Sequence, residues 1–260
     1  MNTNKERLVN GIILYRGPST IDGQPIVVIA TGLETGGSNS KTGAMVQIYI
    51  MRSDLHPMKA SQIGADISIC GTCIHRGRVE IDEKTGGRKN VGRSCYVMLW
   101  RGPHVVFDAY QRGLYTDVTP AKARKLLARK TVRVGAYGDP GAVPMDVWKT
   151  ALGQVGAVTA FTHMWRDIPA LADFCMASCD NEAERVMAKA LGFRTYRVRP
   201  KGEQKLPGEG HCPASKEMGK VTQCAQCLLC GGHKTKAKAD ITIEVHGAGR
   251  GNFQRALEAA

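Results

Sequence analysis

The sequence predicts an α/β fold: a partial or complete (β/α) barrel-like parallel sheet, with a β-rich N-terminal part and metal-binding cysteine loops at one rim. Three observations predict it. From residue 131 onward short apolar runs alternate with helical patterns, the signature of parallel βα units. Those runs are continuously apolar rather than alternating, as suits strands covered on both faces. The polar and thiol-bearing residues fall where strands end, the rim at which parallel βα folds collect function.

The elements follow in order. Residues 8–52 form the β-rich start, with Gly11–Tyr15, Ile26–Ala30 and Met45–Met51 as strands broken at Pro18, Asp22-Gly23 and Gly36-Gly37. A short strand at Asp66–Ile69 leads straight into Cys70-x2-Cys73-x-His75. Arg76 to Arg93 is charged and glycine-rich, an inserted hairpin turning at Thr85-Gly86-Gly87. Pro103–Arg112 and Pro120–Lys130 are helices; the second has Thr119 as N-cap, Pro120 in its first turn and basic residues toward its end. Its cations form a solvated face or a nucleic-acid contact. Thr131–Tyr137 is a strand, Pro144–Gln154 a helix, Val158–Phe161 a strand, Ile168–Ala172 a short helix and Phe174–Ala177 a strand. Glu182–Leu191 is a helix capped by Asn181 or Asp180 and ended by Gly192; Thr195–Val198 and Ile241–Val245 are strands, and Asn252–Leu257 closes as a helix. The whole reads as a single domain: a β-rich start at 1–66, the first cysteine set and helices at 67–130, and βα repeats at 131–260 with an inserted cysteine loop at 207–235.

Composition bounds the function. Apolar residues at 43% and charged residues at 23% describe a soluble globular chain. No apolar run approaches the roughly 18 residues that span a bilayer, and the polar start Met1–Arg7 is not a signal peptide. The expected location is therefore the cytoplasm, where the nine cysteines read as metal ligands or reduced thiols. The net charge of +13 makes nucleic acid or a nucleotide a plausible partner. Only 6% of residues are aromatic, which argues against an extended base-stacking platform. Nothing in the chain specifies an oligomeric state.

The strongest motif is Cys212 with Cys224-x2-Cys227-x2-Cys230. Such spacing brings four thiols to one point, for a structural zinc or an iron–sulfur cluster; the third cysteine at the same short step leans toward iron–sulfur. Cys70, Cys73 and Cys95, with or without His75, form a second set. With His75 it closes a tetrahedral zinc site; three cysteines alone leave one iron of a [4Fe–4S] cubane open to another ligand. Thr31–Gly43 is a glycine-rich loop in which Asn39, Lys41 and Thr42 suggest a backbone nest for an anion or cofactor. It lacks Walker spacing. At the strand ends Asp139, His163 and Asp180 are candidate catalytic, substrate-contacting residues, each with a bland counterpart as turn, rim histidine or helix cap. Arg197, Arg199 and Lys201, with Lys41, are candidates for phosphate. His246 is a further rim histidine. Cys175 and Trp165 read as core, and Cys179 as ambiguous.

Taken together, Asn39-Ser-Lys41-Thr-Gly, Cys70-x2-Cys73, Cys95-Tyr96, Tyr137-Gly-Asp-Pro, Phe161-Thr-His163-x-Trp165 and Cys212-Pro…Cys224-x2-Cys227-x2-Cys230 resemble an uncharacterised family of phage-encoded cysteine-rich proteins. The resemblance implies a phage gene product in the cytoplasm of an infected or lysogenic bacterial host. A more distant similarity is to radical-SAM-type iron–sulfur enzymes. It implies that Cys70, Cys73 and Cys95 bind a [4Fe–4S] cluster whose open iron takes S-adenosylmethionine, and that the 212–230 set holds an auxiliary cluster. The expected function is thus a redox or radical-type iron–sulfur enzyme acting on nucleic acid or a nucleotide. The competing expectation is a non-catalytic, zinc-stabilised, basic nucleic-acid-binding or host-interaction protein. No G-x-S-x-G, H-E-x-x-H or zinc-deaminase signature occurs, and a hydrolase using a rim His–Asp pair is the weakest expectation.

Overall fold

The computed structural model describes residues 10–37 and 39–258. The polar N-terminus, the start of the first strand-like run at residue 8, and Ser38 of the glycine loop lie outside the described residues.

The chain begins with an antiparallel meander of β1 (Gly11–Pro18), β2 (Pro25–Thr31) and β3 (Val46–Arg52). Ile26 to Ala30 are all buried, so β2 is covered on both faces. Next come the short helices α1 (Pro57–Ile63) and α2 (Ile67–Cys70), then a hairpin of β4 (Arg78–Ile81) and β5 (Arg88–Val91). α3 (Gly102–Gln111), β6 (Thr116–Asp117) and α4 (Pro120–Leu127) lead into β7 (Thr131–Tyr137). α4 starts as its sequence dictates: the Thr119 side chain accepts from Lys122 N. It stops short of Lys130: Ala128 leaves the helix with ψ 133°, and Arg129 follows with a left-handed φ of 60°.

From β7 the βα pattern sets in: α5 (Met145–Ala151), β8 (Ala157–Thr159), β9 (Phe161–Thr162), β10 (Met176–Cys179), α6 (Glu182–Ala190) and β11 (Thr195–Arg199). β12 (Glu209–His211), α7 (Cys224–Cys227), β13 (Asp240–Glu244) and α8 (Arg250–Glu258) complete it. One sheet has the order β6-β1-β2-β3-β7-β8 and the other β12-β13-β11-β10-β9. Every pairing in the second is parallel, as are β3–β7 and β7–β8 in the first. The two sheets share one stretch of chain: β8 pairs in the first, β9 in the second, and Ala160 lies between them. Strand direction therefore carries across, and both parallel groups end on the same side. The protein is mixed α/β with parallel sheet segments, and both sheets are open, with edge strands, among the described residues.

The main core lies over the first sheet. Ile12, Ile29, Ile48, Ile50, Val132 and Val134 meet Leu127, Trp148 and Trp165 from the covering segments. Each such side chain withdraws enough apolar surface from water to stabilise the fold by about 1.5–3 kcal/mol. Cys175 and Cys179 belong to this core. No helix of the described residues is long and apolar enough to cross a membrane.

One sequence expectation is corrected. Residues 66–69 are not a strand; Ile67–Cys70 form a helical turn in which Ile69 and Cys70 donate to the Asp66 carbonyl. Ile-Ser-Ile alternation mimics a strand, but buried Asp66 pairs with Arg76 and Arg93 and holds the backbone in a turn.

Gly138, between β7 and Asp139, has φ 80°, and a Cβ there would lie 2.6 Å from the Ile50 carbonyl oxygen. Gly138→Ala is expected to cost at least the roughly 1–3 kcal/mol of a misplaced left-handed residue. Urea unfolding midpoints measure it, and an unchanged midpoint would refute the close approach.

Candidate metal and active site at the strand-end rim

The first cysteine set is assembled by the hairpin. Cys73 N donates to the Cys70 carbonyl at 3.2 Å. Ser94 N and Cys95 N both donate to the His75 carbonyl, at 3.2 and 3.0 Å, which brings Cys95 back beside Cys73. Fully buried Asp66 clamps the hairpin roots: its Oδ1 is 2.7 Å from Arg76 Nη2 and its Oδ2 3.7 Å from Arg93 Nη1. Burial pushes the Cys70 thiol far up, with Asp66 adding to it, and pushes Cys95 up despite Arg93. Left bare, both stay protonated at neutral pH. That is the reverse of the depressed pKa a nucleophilic or redox-sensing thiol requires.

Beside these thiols lies a histidine–carboxylate cluster. Asp180 Oδ1 is 2.8 Å from His75 Nε2, and its Oδ2 is 3.7 Å from His163 Nε2. The other ring nitrogen of His75, Nδ1, is 2.7 Å from Ser94 Oγ, so both nitrogens are engaged and His75 does not face the sulfurs. Phe253 of α8 stacks on the His75 ring at 5.1 Å and 5°. His163 leans on Cys73 as well as Asp180. Burial disfavours its charge, but these two neighbours outweigh burial and raise its pKa well above the usual histidine value. Contacts with His163 and His75 overcome the burial of Asp180 and hold its carboxyl below the usual range. Asn181, not Asp180, caps α6: its side chain accepts from Glu184 N at 2.8 Å, while Glu184 accepts from Asp180 N at 2.8 Å. This reciprocal pattern is close to a capping box, and it leaves the Asp180 carboxylate to the histidines.

Asp139 sits just beneath. Its carboxylate accepts from Gly141 N at 2.8 Å, Thr162 Oγ1 at 2.7 Å and His163 N at 2.8 Å. It ties the end of β7 to β9 and orients His163 rather than facing a substrate.

The second cysteine set packs on one face of the parallel sheet, with Met176, Ile241 and Ile243. Cys212 follows β12, with its N–H on the Thr242 carbonyl. α7 carries Cys224 and Cys227, and the Cys230 carbonyl accepts from Ala160 N at 3.0 Å. Burial raises Cys224, Cys227 and Cys230, and the neighbouring thiols add to it. The glycine loop serves this set. Asn39 Oδ1 accepts from Lys41 N and Thr42 N, and the Lys41 and Thr42 carbonyls accept from Cys224 N and Ala225 N at 3.0 and 2.9 Å. Asn39, Lys41 and Thr42 thus form a cradle for α7 rather than an open anion nest. The Lys41 ammonium, its pKa lowered by burial, lies among Cys212, Cys224 and Cys230 with Arg133 nearby.

Two of the arginines read as phosphate ligands are buried. Arg197 lies in a fork on Glu209 at 2.8 and 2.9 Å and also pairs with Glu203. Arg199 pairs with Glu217 and bonds the Glu203 carbonyl. Lys201 is exposed. The sequence reading missed Asp66, Arg93, Arg133 and Phe253, whose partners lie far off in the chain. It also missed His56 and His104, whose ring nitrogens meet at 2.9 Å between α1 and α3 beside Asp108.

No three cysteine sulfurs approach within 4.8 Å of one another among the described residues. Four thiolates on a tetrahedral zinc at 2.3 Å would stand about 3.8 Å apart. A cubane separates its ligands by its own iron edges, so it takes a wider set. Comparison with protein-family models, with curated proteins and with solved structures finds no match.

Arg197→Ala strands a buried carboxylate and is expected to destabilise the fold by about 3–5 kcal/mol, read by chemical denaturation. Burial opposes ionisation of Glu209, but Arg197 and Leu206 N outweigh it and hold its pKa below the usual value. A depressed carboxylate contributes stability that is present above its unfolded pKa and is lost as pH falls through the folded one. Glu209→Gln should therefore be less stable at pH 7 and lose less stability on acidification below about pH 5. An unchanged acid limb would refute this.

Proposed function

We propose that this protein is an iron–sulfur enzyme of redox or radical type, of phage origin, acting on nucleic acid or a nucleotide in the cytoplasm of a bacterial host. One observation carries the reading: both His75 nitrogens are engaged by Ser94 and Asp180, so His75 is not free to close a set with Cys70, Cys73 and Cys95. A set that His75 completed would favour a closed zinc staple. The scaffold supports the same reading. Through residues 157–162 the parallel strands β3, β7, β8/β9, β10, β11, β13 and β12 run side by side, which suits a partial (β/α) barrel-like scaffold, and Asp139, His163 and Asp180 follow the carboxyl ends of β7, β9 and β10, where such folds bind substrate.

A [4Fe–4S] cluster on Cys70, Cys73 and Cys95 would supply one-electron chemistry, with S-adenosylmethionine as the co-substrate the open position suits. The residues around it do the rest. Asp180 orients His75 and lies 3.7 Å from His163 Nε2. Phe253 covers His75 and keeps water from that side. Lys41 and Arg133 place positive charge next to Cys212, Cys224 and Cys230, which suits a second, anionic thiolate-bound cluster.

The other reading is a zinc-stabilised basic protein that binds nucleic acid without catalysis. The observation in its favour is the outer face of α4, where Lys122, Arg124 and Lys125 are exposed and have no ion-pair partner among the described residues.

Anaerobically purified protein should be brown and contain iron and sulfide. Cys73→Ala and Cys227→Ala should each lose about half of the iron without losing the fold, measured by elemental analysis and circular dichroism. A colourless protein with stoichiometric zinc would overturn the enzyme reading in favour of the zinc-stabilised one.

A further inference from the structure

We propose that the cleft at the carboxyl ends of β11, β12 and β13 seats a small phosphorylated molecule of nucleotide size, bound through its phosphate. This deepens the enzyme reading and rests on it for what then happens to the molecule; the binding itself is argued from the cleft alone.

The cleft has a volume of about 480 Å³, within the range of small-molecule sites. It opens at the carboxyl ends of β11, β12 and β13, where ligands of parallel sheets bind. Lys201 follows β11, Lys216 follows β12, and Arg250 follows β13; all three line it and are exposed. None has an ion-pair partner among the described residues. Of the two acidic residues in the wall, Glu217 pairs with Arg199 and lies 2.9 Å from His211 Nδ1, and Glu244 Oε2 is 3.8 Å from Nη1 of the same Arg199, so the three cations outnumber the carboxylates. Three unpaired cations from three separate segments therefore face one space. A phosphate, with about two charges and three acceptor oxygens, matches such a set better than a single carboxylate.

The rest of the wall suits the organic part of the ligand. Ile243 and Val245 give it an apolar side. His246 donates Nδ1–H to the Glu244 carbonyl at 2.9 Å, which leaves its Nε2 as an acceptor. Its ring lies 4.7 Å from that of Tyr96, the residue after Cys95. On the other side Ser215 N donates to the Cys212 carbonyl at 3.0 Å, and Lys216 follows it. A phosphate held by the three cations thus leaves its ester group against Ile243, Val245 and His246. The cations of α4 lie outside this cleft and serve as its control.

Calorimetric titration of the anaerobically purified protein with ADP tests the proposal, with a short single-stranded oligonucleotide as competitor. The expected result is one ADP per chain. Affinity should fall tenfold or more in Lys216→Ala and in Arg250→Ala, and remain unchanged in a Lys122→Ala/Lys125→Ala variant, with unchanged thermal melting for all three. Competition by an oligonucleotide carrying a 5′-phosphate, but not by one without it, would keep the seat and identify a terminal phosphate as an alternative source. ADP binding indifferent to the cleft variants would overturn the seat. So would oligonucleotide binding that is lost on α4 substitution while ADP does not bind. Iron content is read separately: zinc-only protein that still binds ADP in the cleft would sink the redox reading and keep the seat, and iron-loaded protein that does not bind would sink the seat alone.

Discussion

The structure depends on one shared stretch of chain, residues 157–162. Its first half pairs with β7 and its second with β10. At the crossing point Ala160 donates to the Cys230 carbonyl and accepts from Met176 N, each at 3.0 Å. Because the strand keeps its direction through the crossing, two sheets of different character share one carboxyl edge. Asp139, His163, Asp180, Lys201, Cys212 and His246 all emerge there. The same crossing anchors the second cysteine set, so fold and site are fastened at one point.

Around that edge the dominant energetic problem is desolvation. Burial raises five of the seven thiols of the two sets above their usual value, and Cys212, Cys224 and Cys230 also pack with Met176, Ile241 and Ile243. A bound cation would offset that penalty, because it binds thiolates and drives off their protons. Each set is braced by groups that are not thiols: the first by Asp66 between Arg76 and Arg93, the second by the 39–43 loop on the amides of α7.

Much of this was legible in the sequence. The βα pattern after residue 131 was readable because its strands are short apolar runs and its helices carry caps such as Thr119 and Asn181. The hairpin at 76–93 was readable from its glycines. α1 went unread: Pro57 and Gly64 mark its ends, but seven residues are too few for a helical period. Asp66–Ile69 was misread because periodicity carries no information about a buried carboxylate whose partners are Arg76 and Arg93. The rim was legible as a set of residues and not as a division of labour. Asp139, Arg197 and Arg199 are the residue types that meet substrates, yet here they brace the sheet, because Thr162, Glu209 and Glu217 reach them first. The engagement of His75 by Asp180, across 105 positions, leaves no mark on local spacing.

The most direct test of the central claim, that two separate cysteine sets hold two clusters of different openness, is electron paramagnetic resonance of the dithionite-reduced, anaerobic protein. Two overlapping [4Fe–4S]⁺ signals are expected, of which S-adenosylmethionine perturbs one and leaves the other unchanged. A protein silent under reduction, with a metal content of zinc alone, would contradict the account.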